Sequence, residues 1–509
     1  MRAWLPIVSA IAFGVVLWQT SPVAAVPNYG LTNDVPGSQR VADNVNRVAS
    51  YLPSLAADQL STATITQTAY GLPTIVQLLK ETGKHVSEVG LAGTAAMSTL
   101  ISGNSGSSAN LFQSAIQTID DGLDHLQQHL PTTKAALTQL IGTNVSDRLA
   151  DSFARIEKGL TRLKNAVKAL KDAVGAAVSE AGSESSVSNA ILLRYITVPL
   201  VYELAESASN LRAYLPVVHY TLTSSIEDAV TADTFLTAYQ TTVNLVDGLI
   251  DLIVAPLGTA KADFYSNLES AVQDLASSFA GSQEVLASLA MRSVPALDTA
   301  VTAMLNTFDL TLTDVDGDVS QVATSLQDYM SFIEQLLTIT DTELVSIEES
   351  ELIGALIHSL IDCGRYSRYC FHKYQYLVAK LLESLIEKLG ICVQREERRL
   401  SNLGAATSSL IGYTTDDIED VVDYLTICDI VQDATNKANC VSTISGSITP
   451  LGTIFGDFYA LLYQLIGTEL DASKQRVKMC VGLSKRLFSE QYIPDLRAEI
   501  ESCATDGPA

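Results

Sequence analysis

An all-α fold of long antiparallel helices, arranged as a bundle or array, is predicted for this chain by three observations. Apolar residues recur at helical spacing along nearly the whole sequence, whereas sustained period-two alternation is rare. Ala, Leu, Ser and Thr dominate while Gly and Pro are sparse for 509 residues, which suits helices packed through small side chains. Polar Gly/Ser/Pro segments separate blocks of helix length, as antiparallel neighbours joined by short turns require.

The chain begins MRAWLPIVSAIAFGVVLWQTSPVAAVP. One basic residue, Arg2, precedes an apolar run from Ala3 to Trp18, a polar break at Gln19–Pro22 and the small residues Val23, Ala24 and Ala25. That order reads as a signal peptide over residues 1–25, cleaved after Ala25, and the product is expected to be secreted and extracellular. The run is short for a bilayer span of about 20 residues. Later apolar segments are interrupted, 191–204 by Arg194 and Pro199, and 241–256 by Asp247 and Asp251. No transmembrane anchor is expected, and the polar tail ESCATDGPA has no lipid-anchor signal.

Helix-length blocks follow at 72–100, 110–130, 190–214, 232–254, 262–291 and 319–361. Polar or small-residue breaks are expected between them at 102–108 (SGNSGSS), 179–189, 255–260 (APLGTA) and 311–318 (TLTDVDGD). The clearest block is 145–178. There Val145, Leu149, Phe153, Ile156, Leu160, Leu163, Val167, Leu170, Val174 and Val178 (or Ala177) alternate steps of four and three. This heptad seam predicts one long helix in a coiled-coil-like contact. The expected regions are therefore 26–180, 190–362 and a cysteine-rich 363–509. A Tyr-Leu-Pro at 51–53 and again at 214–216 hints at a duplicated unit, although chance in such a composition explains it equally well.

A formal charge of −25 argues against nucleic acid as a general partner, because phosphate binding needs clustered Lys and Arg. One helix runs against that trend. Arg148, Arg155, Lys158, Arg162, Lys164, Lys168 and Lys171 outnumber Asp151 and Glu157. It can dock a membrane surface, a glycan or an acidic face such as 416–423, or it can balance charge within the chain.

All seven cysteines fall in the last third: Cys363, Cys370, Cys392, Cys428, Cys440, Cys480 and Cys503. In a secreted chain they read as disulfides. Leaving Cys363 aside as unpaired, the gaps of 22, 36, 12, 40 and 23 are nearly palindromic. Folding them at the centre pairs Cys428 with Cys440, Cys392 with Cys480, and Cys370 with Cys503, with position sums of 868, 872 and 873. Antiparallel helices place equal-sum positions at equal heights, so this nested pairing is favoured among the roughly 15 possible ones. Cys370 and Cys392 share a helix face with Tyr374, Leu377, Leu381, Leu385 and Leu389. The partner, 472–503, would turn its two cysteines about 140° apart on an unbroken helix, so Pro494 is expected to kink or restart it.

The ordered series CFHKY (370–374), IC (391–392), ICDI (427–430), NC (439–440), MCV (479–481) and IESC (500–503) resembles the tsetse EP domain of insect secreted proteins. The resemblance covers about 140 residues of the chain. It implies a cysteine-rich helical module in a gut or other luminal secretion and supplies no catalytic residues; Cys363 departs from its six-cysteine pattern.

Motifs for chemistry are few. His125 and His129 stand four apart, a spacing that suits zinc, but no HExxH glutamate and no third ligand is evident. They read as solvent-facing residues before a helix ended by Pro131, and no metal or cofactor is expected. Asp314–Asp318 (DVDGD) has neither the Gly at position six nor the Glu at twelve of a calcium loop, and reads as an acidic turn. Asn144 begins the sequon NVS, a glycosylation site in a secreted chain. With no nucleophile elbow, phosphate loop or dinucleotide glycine pattern, the expected role is a non-enzymatic interaction or structural protein. Its partners would be an extracellular protein, glycan or membrane surface. The second reading is an extracellular carrier of lipid or another hydrophobic ligand held between amphipathic helices.

Overall fold

The structure is a computed structural model that describes residues 28–56, 60, 62, 64–104, 107–339, 343–362 and 364–507. The expected signal peptide and Cys363 lie outside the described residues. Every regular element among the described residues is helical. The chain divides into two compact units, one comprising residues up to Asp233 with 360–364, the other 234–359 with the chain from Arg365 onward. The boundary expected at 180–190 falls inside the first unit. The cysteine-rich segment is not a unit by itself, because its helices share a core with the helices of 246–337.

In the first unit, α1 (Ser38–Tyr51), α2 (Leu72–Ser102), α3 (Ser108–Ile141), α4 (Thr143–Ala181) and the short α5 (Asn189–Tyr195) precede α6 (Val198–Asn244), whose residues to Asp233 belong here. Successive long helices run antiparallel. Asp120 of α3 meets Lys164 of α4, while Lys134 nearer the turn meets Asp147; Arg162 of α4 meets Glu203 at the start of α6. The heptad prediction holds residue by residue: Val145, Leu149, Phe153, Ile156, Leu160, Leu163, Val167, Leu170, Val174 and Ala177 are all buried. The helix stops where predicted, with Gly182 in the left-handed conformation that glycine adopts without a Cβ penalty. Asp233 holds the segment before α2, accepting hydrogen bonds from the backbone N–H groups of Thr66 (2.9 Å) and Gln67 (2.7 Å).

The second unit holds α7 (Val246–Ser288), α8 (Pro295–Leu337), α9 (Glu351–Ile361, as far as Ser359), α10 (Ser367–Asp429), α11 (Ala434–Leu487) and α12 (Ile493–Asp506). Helix α7 packs on α8 and α10, and α11 packs on α8 and α10, so these four close a ring of neighbours. It is a four-helix bundle. Each hairpin, α7/α8 and α10/α11, is internally antiparallel. Across hairpins the neighbours run parallel: Phe264 faces Gly404 and Ser278 bonds Glu419 along α7/α10, and Tyr329 meets Ser473 along α8/α11. The α7–α8 turn is tied down by Asp429, which accepts from Ala290 N (2.9 Å) and Met291 N (2.7 Å).

Two expected breaks are absent. Residues 255–260 lie within α7 and 311–318 within α8, so the acidic turn expected at 314–318 is helical backbone. Helix α3 likewise continues through Pro131 to Ile141. The reason is orientation. Pro131, Pro216, Pro256 and Pro450 all sit inside helices and all are exposed. The carbonyl that each proline leaves unpaired therefore faces water, while Val254, Leu257 and Ala260 beside Pro256 stay buried. At 311–318 a single Gly317 costs only about 1 kcal/mol against Ala in a helix, which the packing of a 43-residue helix overrides. The two Tyr-Leu-Pro segments also differ, one ending α1 and the other lying mid-helix in α6, so they mark no repeated unit.

Candidate functional site

The nested disulfides are present. Cys370–Cys503, Cys392–Cys480 and Cys428–Cys440 are bonded with Cα separations of 5.8, 5.8 and 5.7 Å. Facing between Cys480 and Cys503 is restored just ahead of Pro494. Residues 488–492 form a π-turn, and α12 restarts at Ile493. Closing hydrogen bonds from i to i+5 spends more residues per turn than an α-helix, which takes up the excess rotation. Tyr374, Leu385 and Leu389 are buried between the first two cysteines as expected, whereas Leu381 is half-buried and Leu377 points outward, 47% exposed. A seam between two helices is narrower than the apolar stripe.

One turn along from Cys392–Cys480 in the same register lies an ionic clamp. Glu396 of α10, 3% exposed, receives hydrogen bonds from Arg476 Nη2 (2.8 Å) and Ser473 Oγ (2.8 Å) of α11, and pairs with Arg399. Tyr329 reaches Ser473 at 2.8 Å from α8. Burial pushes the Glu396 carboxyl up, but the Arg476 and Ser473 hydrogen bonds and the two guanidinium charges outweigh it and hold the group below its ordinary value. Sequence reasoning missed this pair, although the signal was there: positions 396 and 476 have the same sum as 392 and 480.

A second cluster forms in the first unit, where α2 and α3 cross closely. A Cβ on Gly122 would lie 2.8 Å from Val89 Cγ1, so only glycine permits this approach. His125 and His129, expected to stand alone, meet His85 of α2. His85 Nδ1 is 2.8 Å from His125 Nε2, and the His85 ring stacks on His129 at 4.6 Å between centroids. Glu88, one turn from His85, completes a group whose ligand atoms lie within 4.8 Å of one another. Burial lowers the His85 pKa, and charge on His129 and His125 lowers it further, so its imidazole is neutral near pH 7. His85 lies 40 residues from His125, and no local spacing announces their meeting.

The first unit also holds a partly open apolar cavity of about 50 Å³, lined by residues including Val48, Gly90, Met97, Leu126, Leu160 and Leu211. That is well below the ~150 Å³ that admits benzene. The basic helix finds partners within its own unit: Arg162 with Glu203 and Glu206, and Lys164 with Asp120 at 2.5 Å. Asn144 is exposed in the first turn of α4, where its side-chain amide donates to Asp362 Oδ2 at 3.1 Å. Within 198–288, one 18-residue window has a mean hydropathy of 1.5 and is only 17% buried, so one stretch meets the length and composition of a membrane span.

Together these features define an all-α protein of two helical units, the second fastened by three disulfides. No protein-family model, curated protein or solved structure matches the chain.

Proposed function

We propose that this is a secreted, non-enzymatic helical protein that presents a rigid surface to other extracellular components. The observation that carries the reading is the clamp between α10 and the α11–α12 arm, covalent at two heights and ionic at a third. Disulfides persist in oxidising compartments, and cross-links that fix helix register serve a molecule whose shape must survive outside a cell. The cysteine order that resembles the tsetse EP domain supports an insect luminal secretion, and the exposed Asn144 sequon supports glycosylation. The buried carboxylates of Glu396 and Asp233 are engaged in structural hydrogen bonds, as a scaffold would use them.

The carrier reading draws support from the apolar cavity, but about 50 Å³ holds no acyl chain without opening. Native mass spectrometry of protein purified from a secreting host separates the two. The scaffold reading expects a mass of polypeptide, three disulfides and any N-glycan. A stoichiometric lipid adduct overturns it in favour of the carrier.

A further inference from the structure

We propose that His85, Glu88 and His125 bind a divalent transition-metal ion, zinc or copper, and thereby clip α2 to α3. Two imidazole nitrogens and a carboxylate suit these ions, which take nitrogen ligands at about 2.0–2.1 Å. Two nitrogens on one tetrahedral ion lie roughly 3.3 Å apart, so the 2.8 Å gap between His85 Nδ1 and His125 Nε2 needs only a small opening of the rings. Glu88 is within reach of both and forms a 3.8 Å ion pair with Lys84 in which both side chains are exposed. Such a pair yields readily. His129 walls one side, its ring 4.4 Å from that of His125. The fourth position is left to water.

The setting gives the clip a purpose. The three disulfides fasten the second unit, whereas the first holds none among its described residues. A bound ion would cross-link two helices there, joining positions 40 residues apart. The inference is independent of the scaffold reading, since a metal clip would serve a carrier equally well.

The test is calorimetric titration of untagged, chelator-treated full-length protein with Zn2+ and, separately, Cu2+, followed by thermal melts. The expected result is one equivalent of ion bound at micromolar or tighter Kd, with a melting midpoint raised by several degrees. Glu88→Gln should weaken binding about tenfold or more, and His85→Ala or His125→Ala should abolish it. Should a histidine variant fail to fold, judged by circular dichroism, Glu88→Gln still decides, because its side chain is exposed. Absence of binding of either ion at 100-fold excess, or binding unchanged in Glu88→Gln and in a His85→Ala/His125→Ala double variant, overturns the proposal.

Discussion

Replacing Cys392 and Cys480 together by alanine removes the inner bridge between α10 and α11 while leaving Cys370–Cys503 in place. A lone cross-link over 88 residues stabilises by about 4.6 kcal/mol in the chain-entropy account. With the outer bridge kept, the unfolded chain is already closed over 133 residues. The inner bridge then divides that ring, leaving segments of 22 and 23 residues between the two bridges. The expected cost falls to about 4 kcal/mol. For a unit of this size each kcal/mol is worth roughly 2 °C, so the second unit should melt about 8 °C earlier. The Cys428–Cys440 bridge closes only 12 residues and should be worth about 2.8 kcal/mol. Differential scanning calorimetry under non-reducing conditions measures both. If loss of Cys428–Cys440 proves as damaging as loss of Cys392–Cys480, loop closure is not what these bridges contribute.

Arg476→Met leaves the Glu396 charge buried without its main partner and should cost about 3–5 kcal/mol, read as a lowered urea midpoint; the double variant with Glu396→Gln should recover part of this. Glu396 titrates below its ordinary value in the fold, so its contribution is present above the unfolded carboxylate pKa near 4.3 and is lost as pH falls through the folded one. Melts between pH 6 and 3 should therefore show a shallower acid loss for Glu396→Gln than for wild type, and equal slopes would contradict the assignment. Gly122→Ala should destabilise the first unit by about 1–3 kcal/mol, because its Cβ meets the stiff Val89 at 2.8 Å. Pro256→Ala should stabilise by up to about 3 kcal/mol, since it restores a helix hydrogen bond on an exposed face.

Those last two substitutions mark where sequence reasoning reached and where it stopped. Helix α4 could be read residue by residue because its apolar seam repeats every seven positions within one segment. The disulfide pairing was readable because antiparallel helices convert sequence sums into heights. Glu396–Arg476 obeys the same rule and was overlooked only because no cysteine flagged it. The prolines misled because composition says nothing about which side of a helix meets water.

The amino-acid order alone determined the all-helical class, the seam of α4 and the cysteine register, since each depends on rotation and rise along a single helix. Tertiary structure decided which helices meet. It carried α7 and α8 through their predicted breaks, and it brought His85 to His125 across a contact that Gly122 keeps close. Such meetings depend on how closely two backbones can approach, a property of paired surfaces that no single stretch of chain encodes.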